Sequence, residues 1–458
     1  MPQLHALVRI AARGFLLATG LLFAAAAAAL DPHKSFHDFV SNSWSIEQGL
    51  PQISALAITQ DPRGYLWVGT QAGLARFDGH RFTAFTPEDS PGLPGAYINA
   101  LLTDAEGRVW VGSYKGLAYW DGQSFSPVPL DDSAGGTEAN VQALAVLPTG
   151  GLLVAADSEL HAVENARARL HVRLPRPARS LLAETGVVWV GSVGGVYRLQ
   201  EQAEPELLPL PESARHANCR SLLRARGQLW AGCSEGLFVL GPNGFERSSA
   251  LPELAQAPIE AMLLDRDGNH WIAELAHLTR VRADGSRERI VRDGSGLSIR
   301  ALFEDREANL WLGSQWSGVT RLRNGWTRRY GARHGLDTPL LWSLAAADNG
   351  ALWIGSDDGL LRFANERFER VLAGSALPHP SVYTLHAEGD TAWLGTRQGL
   401  ALFEQGVVSV PERYEALASL QINGIVRDAA GRLWFATSSG AFVEDAGRLR
   451  RFGEAAGL

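Results

Sequence analysis

From residue 53 to residue 85 the chain alternates short β-prone runs with turns. Ile53–Gln60 is an apolar run that reads as a first strand, and Asp61-Pro62-Arg63-Gly64 as a tight turn. Tyr65–Thr70 follows as a second strand, with Trp67 and Gly69 on one face and Leu66, Val68 and Thr70 on the other. Gln71-Ala72-Gly73 turns the chain into a third strand, Leu74–Asp78. Gly79-His80 turns it again into an outer strand, Arg81–Phe85. Both faces of the second strand are apolar, so this small sheet needs a neighbour on each side. Gly69 leaves room for one of them to come close.

The same unit fills the chain. Its core, Trp-Val-Gly-Thr followed by Gly-Leu, begins at Trp67 and Trp110 and returns at Trp189, Trp230, Trp271, Trp311, Trp353, Trp393 and Trp434. A degenerate copy places Leu153 where the Trp belongs. Spacings run from 36 to 43 residues. A period near 40 with four strands per unit is the signature of propeller blades, which stack because one blade cannot bury both faces. The expected fold is all-β, with about ten four-stranded blades. Residues 31–329 are assigned to a first seven-bladed propeller and 330–458 to about three blades of an incomplete second. A renewed Gly-Leu phrase at Gly335-Leu336, after the seventh Trp, motivates that division.

The N-terminus changes the picture of where the chain works. Arg9 and Arg13 precede an apolar stretch of 16 residues, Phe15–Leu30, ending in small residues. That is the pattern of a secretory signal peptide over residues 1–30, and it is short for a membrane span. The expected location is the periplasm. Formal net charge is −7, and −9 once Arg9 and Arg13 leave, so nucleic acid is not an expected partner. The two cysteines, Cys219 and Cys233, flank one first turn almost symmetrically. They read either as buried thiols or as a disulfide in an oxidising compartment.

Motifs of chemistry are sparse. HExxH, paired CxxC and Walker patterns are absent. His270 and His277 stand seven apart, across a blade turn unsuited to joint metal binding. Asp265-Arg266-Asp267-Gly268-Asn269 resembles the start of a calcium loop but lacks the distant liganding acid. No cofactor and no metal are expected. The repeated Trp residues read as core, whereas Trp120 and Trp316 lie outside that register and are freer.

The phrase from Trp44 to Phe85 closely resembles the opening of two-component regulator propellers. The residues that carry the likeness are Gln48-Gly49-Leu50-Pro51, the Trp-Val-Gly-Thr core and Gly-Leu-Ala-Arg-Phe-Asp-Gly. The resemblance implies the extracytoplasmic sensor region of a bacterial transmembrane signalling protein, whose output is a histidine kinase or a diguanylate cyclase. In its complete form such a receptor is expected to be a membrane-anchored dimer of the inner membrane. Arg451–Leu458 resembles Arg329–Leu336, which lead into the repeat of Trp353, so the chain is expected to be truncated while starting an eleventh blade.

Antiparallel strands put the second turns of all blades on one face, together with the connections between blades. That face collects the variable residues: Gln71, Tyr114, Lys115, Glu235, Gln315, Trp316, Asp357 and Arg397. Variable loops on a rigid scaffold are where propellers bind. The expected function is non-catalytic binding of a small molecule or oligosaccharide. The alternative is a secreted propeller lyase or glycoside-acting hydrolase, which needs a convergent acid/base set.

Overall fold

The computed structural model describes residues 30–32, 34–130, 139–201, 203–291, 298–328, 330–338, 340–347, 350–389, 391–453 and 457. All but Leu30 of the expected export segment lies outside them. The described residues form ten four-stranded antiparallel sheets, which are numbered here as blades one to ten along the chain. Two compact units result, Met1–Thr327 with blades one to seven and Arg328–Leu458 with blades eight to ten.

Blade one consists of Ala57–Gln60, Leu66–Thr70, Gly73–Phe77 and Phe82–Phe85. Its inner strand is shorter than the apolar run Ile53–Gln60. The first residues of that run use their backbone on blade seven instead: Gly318 N–H donates to the Ile53 carbonyl (2.9 Å) and Ala55 N–H to the Ser314 carbonyl (2.8 Å). The outer strand likewise starts one residue late, because the Asp78 carboxylate holds the N–H groups of His80 and Arg81 (both 2.9 Å) in the turn.

The second strand is buried on both faces in blades one and two. A Cβ added at Gly69 would lie 2.6 Å from Ile98 Cγ2 of the next blade, and one at Gly112 would lie 2.5 Å from Val141 Cγ1. Only glycine admits so close a neighbour. Trp67 and Trp110 are buried, each packed into the apolar seam with the following blade.

The first turn and the second-strand Trp are chemically linked. Asp61 Oδ1 accepts the N–H groups of Arg63 (2.9 Å) and Tyr65 (3.1 Å), while Oδ2 accepts the Trp67 indole N–H (3.1 Å). Asp104, Asp265, Asp305 and Asp428 hold Trp110, Trp271, Trp311 and Trp434 in the same way, at 2.7 to 2.9 Å. Glu184 holds Trp189 (2.8 Å). In blades eight and nine the indole nitrogens of Trp353 and Trp393 are buried without a partner among the described residues.

A strand that the repeat pattern does not announce closes the ring. Val40–Trp44 pairs antiparallel with Val319–Arg323 and supplies the outer strand of blade seven. The segment before it is anchored through buried Arg280. That guanidinium donates to the carbonyls of Leu30 (3.2 Å), Asp31 (3.1 Å) and Lys34 (3.1 Å), and it lies over the Trp271 ring at 5.0 Å. One apolar cluster then joins Leu50, Ala55, Ile58 and Val68 of the first blade to Ala301, Trp311 and Val319 of the seventh.

In the second unit, one core joins blades eight and nine and another joins nine and ten. Leu344 on the inner strand of blade eight and Val426 on that of blade ten are exposed, at 66% and 58%.

The aspartate–tryptophan contact generates three predictions. Asp305→Ala strands a buried indole N–H and the Asn309 amide, so urea unfolding should show a loss of at least about 2 kcal/mol. The reverse change, Ala347→Asp, puts a carboxylate six residues before Trp353, whose indole N–H has no partner among the described residues, in a turn closed by the same backbone bonds. It should raise the stability of the second unit by about 1 kcal/mol. The pH response has a defined sign. The Trp434 indole, then the N–H groups of Arg432 and Ala430 and the Arg432 guanidinium, hold the Asp428 carboxyl far below its ordinary value. A carboxylate with a depressed folded pKa stabilises fully above its unfolded value, near 3.8, and loses this as pH falls through the folded value. Acid unfolding of Asp428→Asn, followed by tryptophan fluorescence, should therefore show a flatter stability profile below about pH 4 than the native chain.

Candidate functional site

In several blades a Thr or Ser ends the second strand and shapes the turn beyond it. Thr70 Oγ1 donates to the Gly73 carbonyl (2.8 Å) and accepts the Ala72 N–H (3.2 Å), which leaves Gln71 at the tip. Ser113 does the same around Tyr114, with the Gly116 carbonyl at 3.1 Å and the Lys115 N–H at 3.2 Å. Thr396 repeats the arrangement in blade nine. A further backbone bond ties turn to connection: Tyr114 N–H donates to the Tyr97 carbonyl (3.0 Å), and Gln315 N–H to that of Ser298 (2.9 Å). The tips are therefore fixed relative to the blade connections.

The inner strands contribute the rest. In blades two to seven the pairing of inner to second strand slips by one residue at the same place, between Ile98 and Ala100, for example, or between Cys219 and Ser221. The skipped residue is a β-bulge, left out of the ladder and turned away from the sheet. These residues are Asn99, Gln142, Arg179, Arg220, Glu260 and Arg300, and blade one offers Leu56. All seven line one open cavity of about 830 Å³ at the centre of the ring. Gln71, Ala96, Tyr97, Tyr114, Asn140 and Asn218 complete its rim.

Amides and charges divide the lining. Asn99 Nδ2 donates to Asn140 Oδ1 (2.9 Å) and to the Val141 carbonyl (3.0 Å). Across blades four to seven stand three guanidiniums and one carboxylate. Glu260 Oε2 accepts both Arg220 (3.1 Å) and Arg300, and Arg300 Nε also donates to Gln315 Oε1 (3.1 Å). Arg179 makes no hydrogen bond or ion pair among the described residues. Tyr97 and Tyr114 meet edge to face at 6.5 Å on the rim, and Lys115 Nζ lies 5.6 Å over the Tyr114 ring.

Of the residues singled out by sequence, Gln71 and Tyr114 lie on this cavity, and Gln315 reaches it through Arg300. Lys115 backs Tyr114. Glu235 and Trp316 sit on second turns of the same unit but off the lining; Trp316 is 67% exposed. Asp357 and Arg397 belong to the second unit, where Asp357 Oδ1 accepts the Ser381 hydroxyl (3.0 Å). Trp120, read from sequence as free, is buried against Trp67 (5.6 Å) and Phe125 (4.8 Å). The third strand alternates, and its position faces the core. The six bulge residues and Leu56 escaped sequence reasoning. Their signal is an offset of ten or eleven residues before the Trp, at a place flanked by small or apolar residues.

The metal lookalikes resolve into structure. Asp265 spends its oxygens on the N–H groups of Asp267 and Asn269, the Asn269 amide and the Trp271 indole. His270 is buried edge-on to Trp230 (5.4 Å), and burial pushes its pKa down to about 4. His277 instead lies near Arg289 and Glu274. No cluster of metal-ligating side chains occurs among the described residues.

Comparison with known proteins adds the following. A family profile described as two component regulator propeller matches residues 49–72 and 92–115. A stretch of 72 residues, 15% of this chain and 5% of the other protein, is 44% identical to Histidine kinase P4 of Formosa agariphila. The extracellular domain described as that of a hybrid two component system, BT3049, from B. thetaiotaomicron is similar at a TM-score of 0.75 and 22% identity. That match covers 90% of this chain and 60% of the other. Virginiamycin B lyase from Staphylococcus aureus is similar at a TM-score of 0.50 and 12% identity, over 62% of this chain and 99% of the other. At these identities the two structures speak for the fold. This chain spans less than two thirds of the length of the kinase and of the extracellular domain.

Cys219 and Cys233 face each other across the first hairpin of blade five and are joined as a disulfide. Cys219 immediately precedes Arg220, so the bridge clamps the strand at a residue of the cavity wall. Non-reducing peptide mapping of exported protein should recover the two cysteine peptides as one linked species. Cys219→Ser/Cys233→Ser should unfold at lower denaturant, by about 3 kcal/mol for a loop of this length. Two freely alkylatable thiols in the native exported chain would contradict the linkage.

Proposed function

We propose that this chain, a two-component regulator propeller protein, is the extracytoplasmic ligand-binding part of a transmembrane signalling receptor. The observation that carries the reading is the cavity of the first ring, walled by Leu56 of blade one and one bulge residue from each of blades two to seven, and rimmed by fixed turns. The family profile, the histidine-kinase relative and the likeness in fold to an extracellular domain support the signalling context. No helix among the described residues is long and apolar enough to cross a membrane. The location proposed for the chain is the periplasm, and the complete receptor is proposed to be a membrane-anchored dimer in the inner membrane. In such a receptor the ligand acts by binding two arrangements of the protein unequally, not by being consumed.

A propeller lyase is the competing reading, favoured by the fold likeness to virginiamycin B lyase. Proton abstraction needs a base free to take the proton. The carboxylate on the cavity lining, Glu260, is shared between two guanidiniums. The structure thus supports binding over turnover at this place.

Calorimetry of the purified chain against a library of small metabolites and short glycans, with product analysis of each binder, tests the proposal. A cognate ligand should be recovered intact. Tyr114→Ala should weaken it about tenfold through loss of an aromatic contact, whereas Trp316→Ala, off the lining, should leave affinity unchanged. Trp67→Ala is the structural contrast and should cost about 3–5 kcal/mol of stability, as truncation of a buried Trp does. Cleavage of a bound compound by the native chain, lost in Glu260→Gln, would replace the sensor reading with the lyase.

A further inference from the structure

We propose that the ring cavity takes an anionic small molecule. Its carboxylate, sulfate or phosphate group would sit on Arg179, Arg220 and Arg300, and its hydroxyl-bearing body on the amides of blades two and three. This rests on the reading of the cavity as the ligand site.

Charge is the first argument. The chain as a whole carries a formal −7, yet three guanidiniums and one carboxylate line this cavity, an excess of two positive charges. Glu260 answers part of that charge and is shared by Arg220 and Arg300. Arg179 is answered by nothing among the described residues.

The fold does not require these residues. The bulge position lies outside the ladder, and blade two fills it with Asn99 and blade three with Gln142, while blade one puts Leu56 on the same wall. Three arginines, on blades four, five and seven, at a position tolerant of amides are there for what they face. Guanidiniums present planar pairs of N–H donors that match the oxygens of an oxyanion, and partial burial strengthens the attraction.

The opposite wall sets the rest of the ligand. Asn99, Asn140 and Gln142 offer donors and acceptors suited to hydroxyl groups, and Tyr97 with Tyr114 offers apolar ring faces at the rim. A cavity of about 830 Å³ suits a compact polar molecule.

Titration of the whole chain with inorganic sulfate, D-glucuronate and D-glucose, at low and high sodium chloride, separates the possibilities. Sulfate and glucuronate should bind and glucose should not, with affinity falling as salt rises. Arg179→Gln should weaken both anions about tenfold, and Arg179→Lys should restore part of the loss. Glu260→Gln should tighten them by freeing two guanidiniums. Because Arg179 holds no partner among the described residues, the unfolding midpoint of Arg179→Gln should stay at the native value. Anion binding indifferent to Arg179→Gln, or glucose bound as well as glucuronate, would overturn the proposal. A neutral ligand from the wider library that depends on Tyr114 would leave the binding reading standing and remove the anionic class. No binder from either set at this cavity would remove both.

Discussion

One contact organises six of the ten blades: a carboxylate at or beside the first turn that accepts the indole N–H of the second-strand tryptophan. The tryptophan must be buried to fill the seam between blades, and its N–H loses water when it is. A carboxylate six residues upstream restores that hydrogen bond and in the same act orders the turn by accepting backbone N–H groups. Asp61 does this for Arg63, Tyr65 and Trp67 together. Core packing and hairpin register thereby become one event. The device is uneven along the chain. Trp230 falls back on the Ala225 carbonyl at 3.3 Å, and Trp353 and Trp393 have no partner for their nitrogens among the described residues, where Trp434's blade alone in the second unit has the lock.

Closure is the second constraint, and it sets the two units apart. Stacked blades cover both faces of each sheet only if the last meets the first. In the first unit Val40–Trp44 completes blade seven from the other end of the sequence, and Trp44 stacks on Trp311 at 5.4 Å. Arg280 and Arg282 pin the residues just before that strand through backbone carbonyls. The strand joins residues nearly 300 positions apart, so ring formation depends on a late, non-local contact, of the kind that slows folding. The second unit has inter-blade seams only between consecutive blades, and its exposed Leu344 and Val426 mark the faces without such a seam.

The blades were legible because their signals are local and repeated: Trp and Gly alternate in the second strand, and Asp and Gly recur in the first turn. What could not be read came from long-range or register effects. Val40–Trp44 carries no repeat phrase of its own, although the repeat of Trp311 lacks an outer strand after Arg323 and so was short of one. Trp120 looked free because it falls outside the tryptophan register, yet strand alternation points it at the core beside Trp67. For the site, sequence reasoning found the turn tips, Gln71 and Tyr114 among them, since turns show as variable residues between fixed ones. It missed the seven inward residues, because a bulge shifts the two-residue period by one and hides which side chain leaves the sheet.

That hidden shift explains how one scaffold can carry changing chemistry. Tryptophan, glycine and the turn carboxylate fill the seams and the regular turn face, where a change costs stability. The bulge residue is excluded from both ladder and seam, so its identity is decoupled from the fold. Leu56, Asn99, Gln142, Arg179, Arg220, Glu260 and Arg300 occupy equivalent places in seven blades with the same backbone around them. Substitution there alters the sign and polarity of the cavity with little effect on the core. The second-turn tips share this freedom, being held by Thr or Ser through backbone groups and not by their own side chains. A closed ring thus brings seven independent positions, each about forty residues from the next, to a common point. The chemistry at that point is set by side chains that the stability of the blades does not constrain.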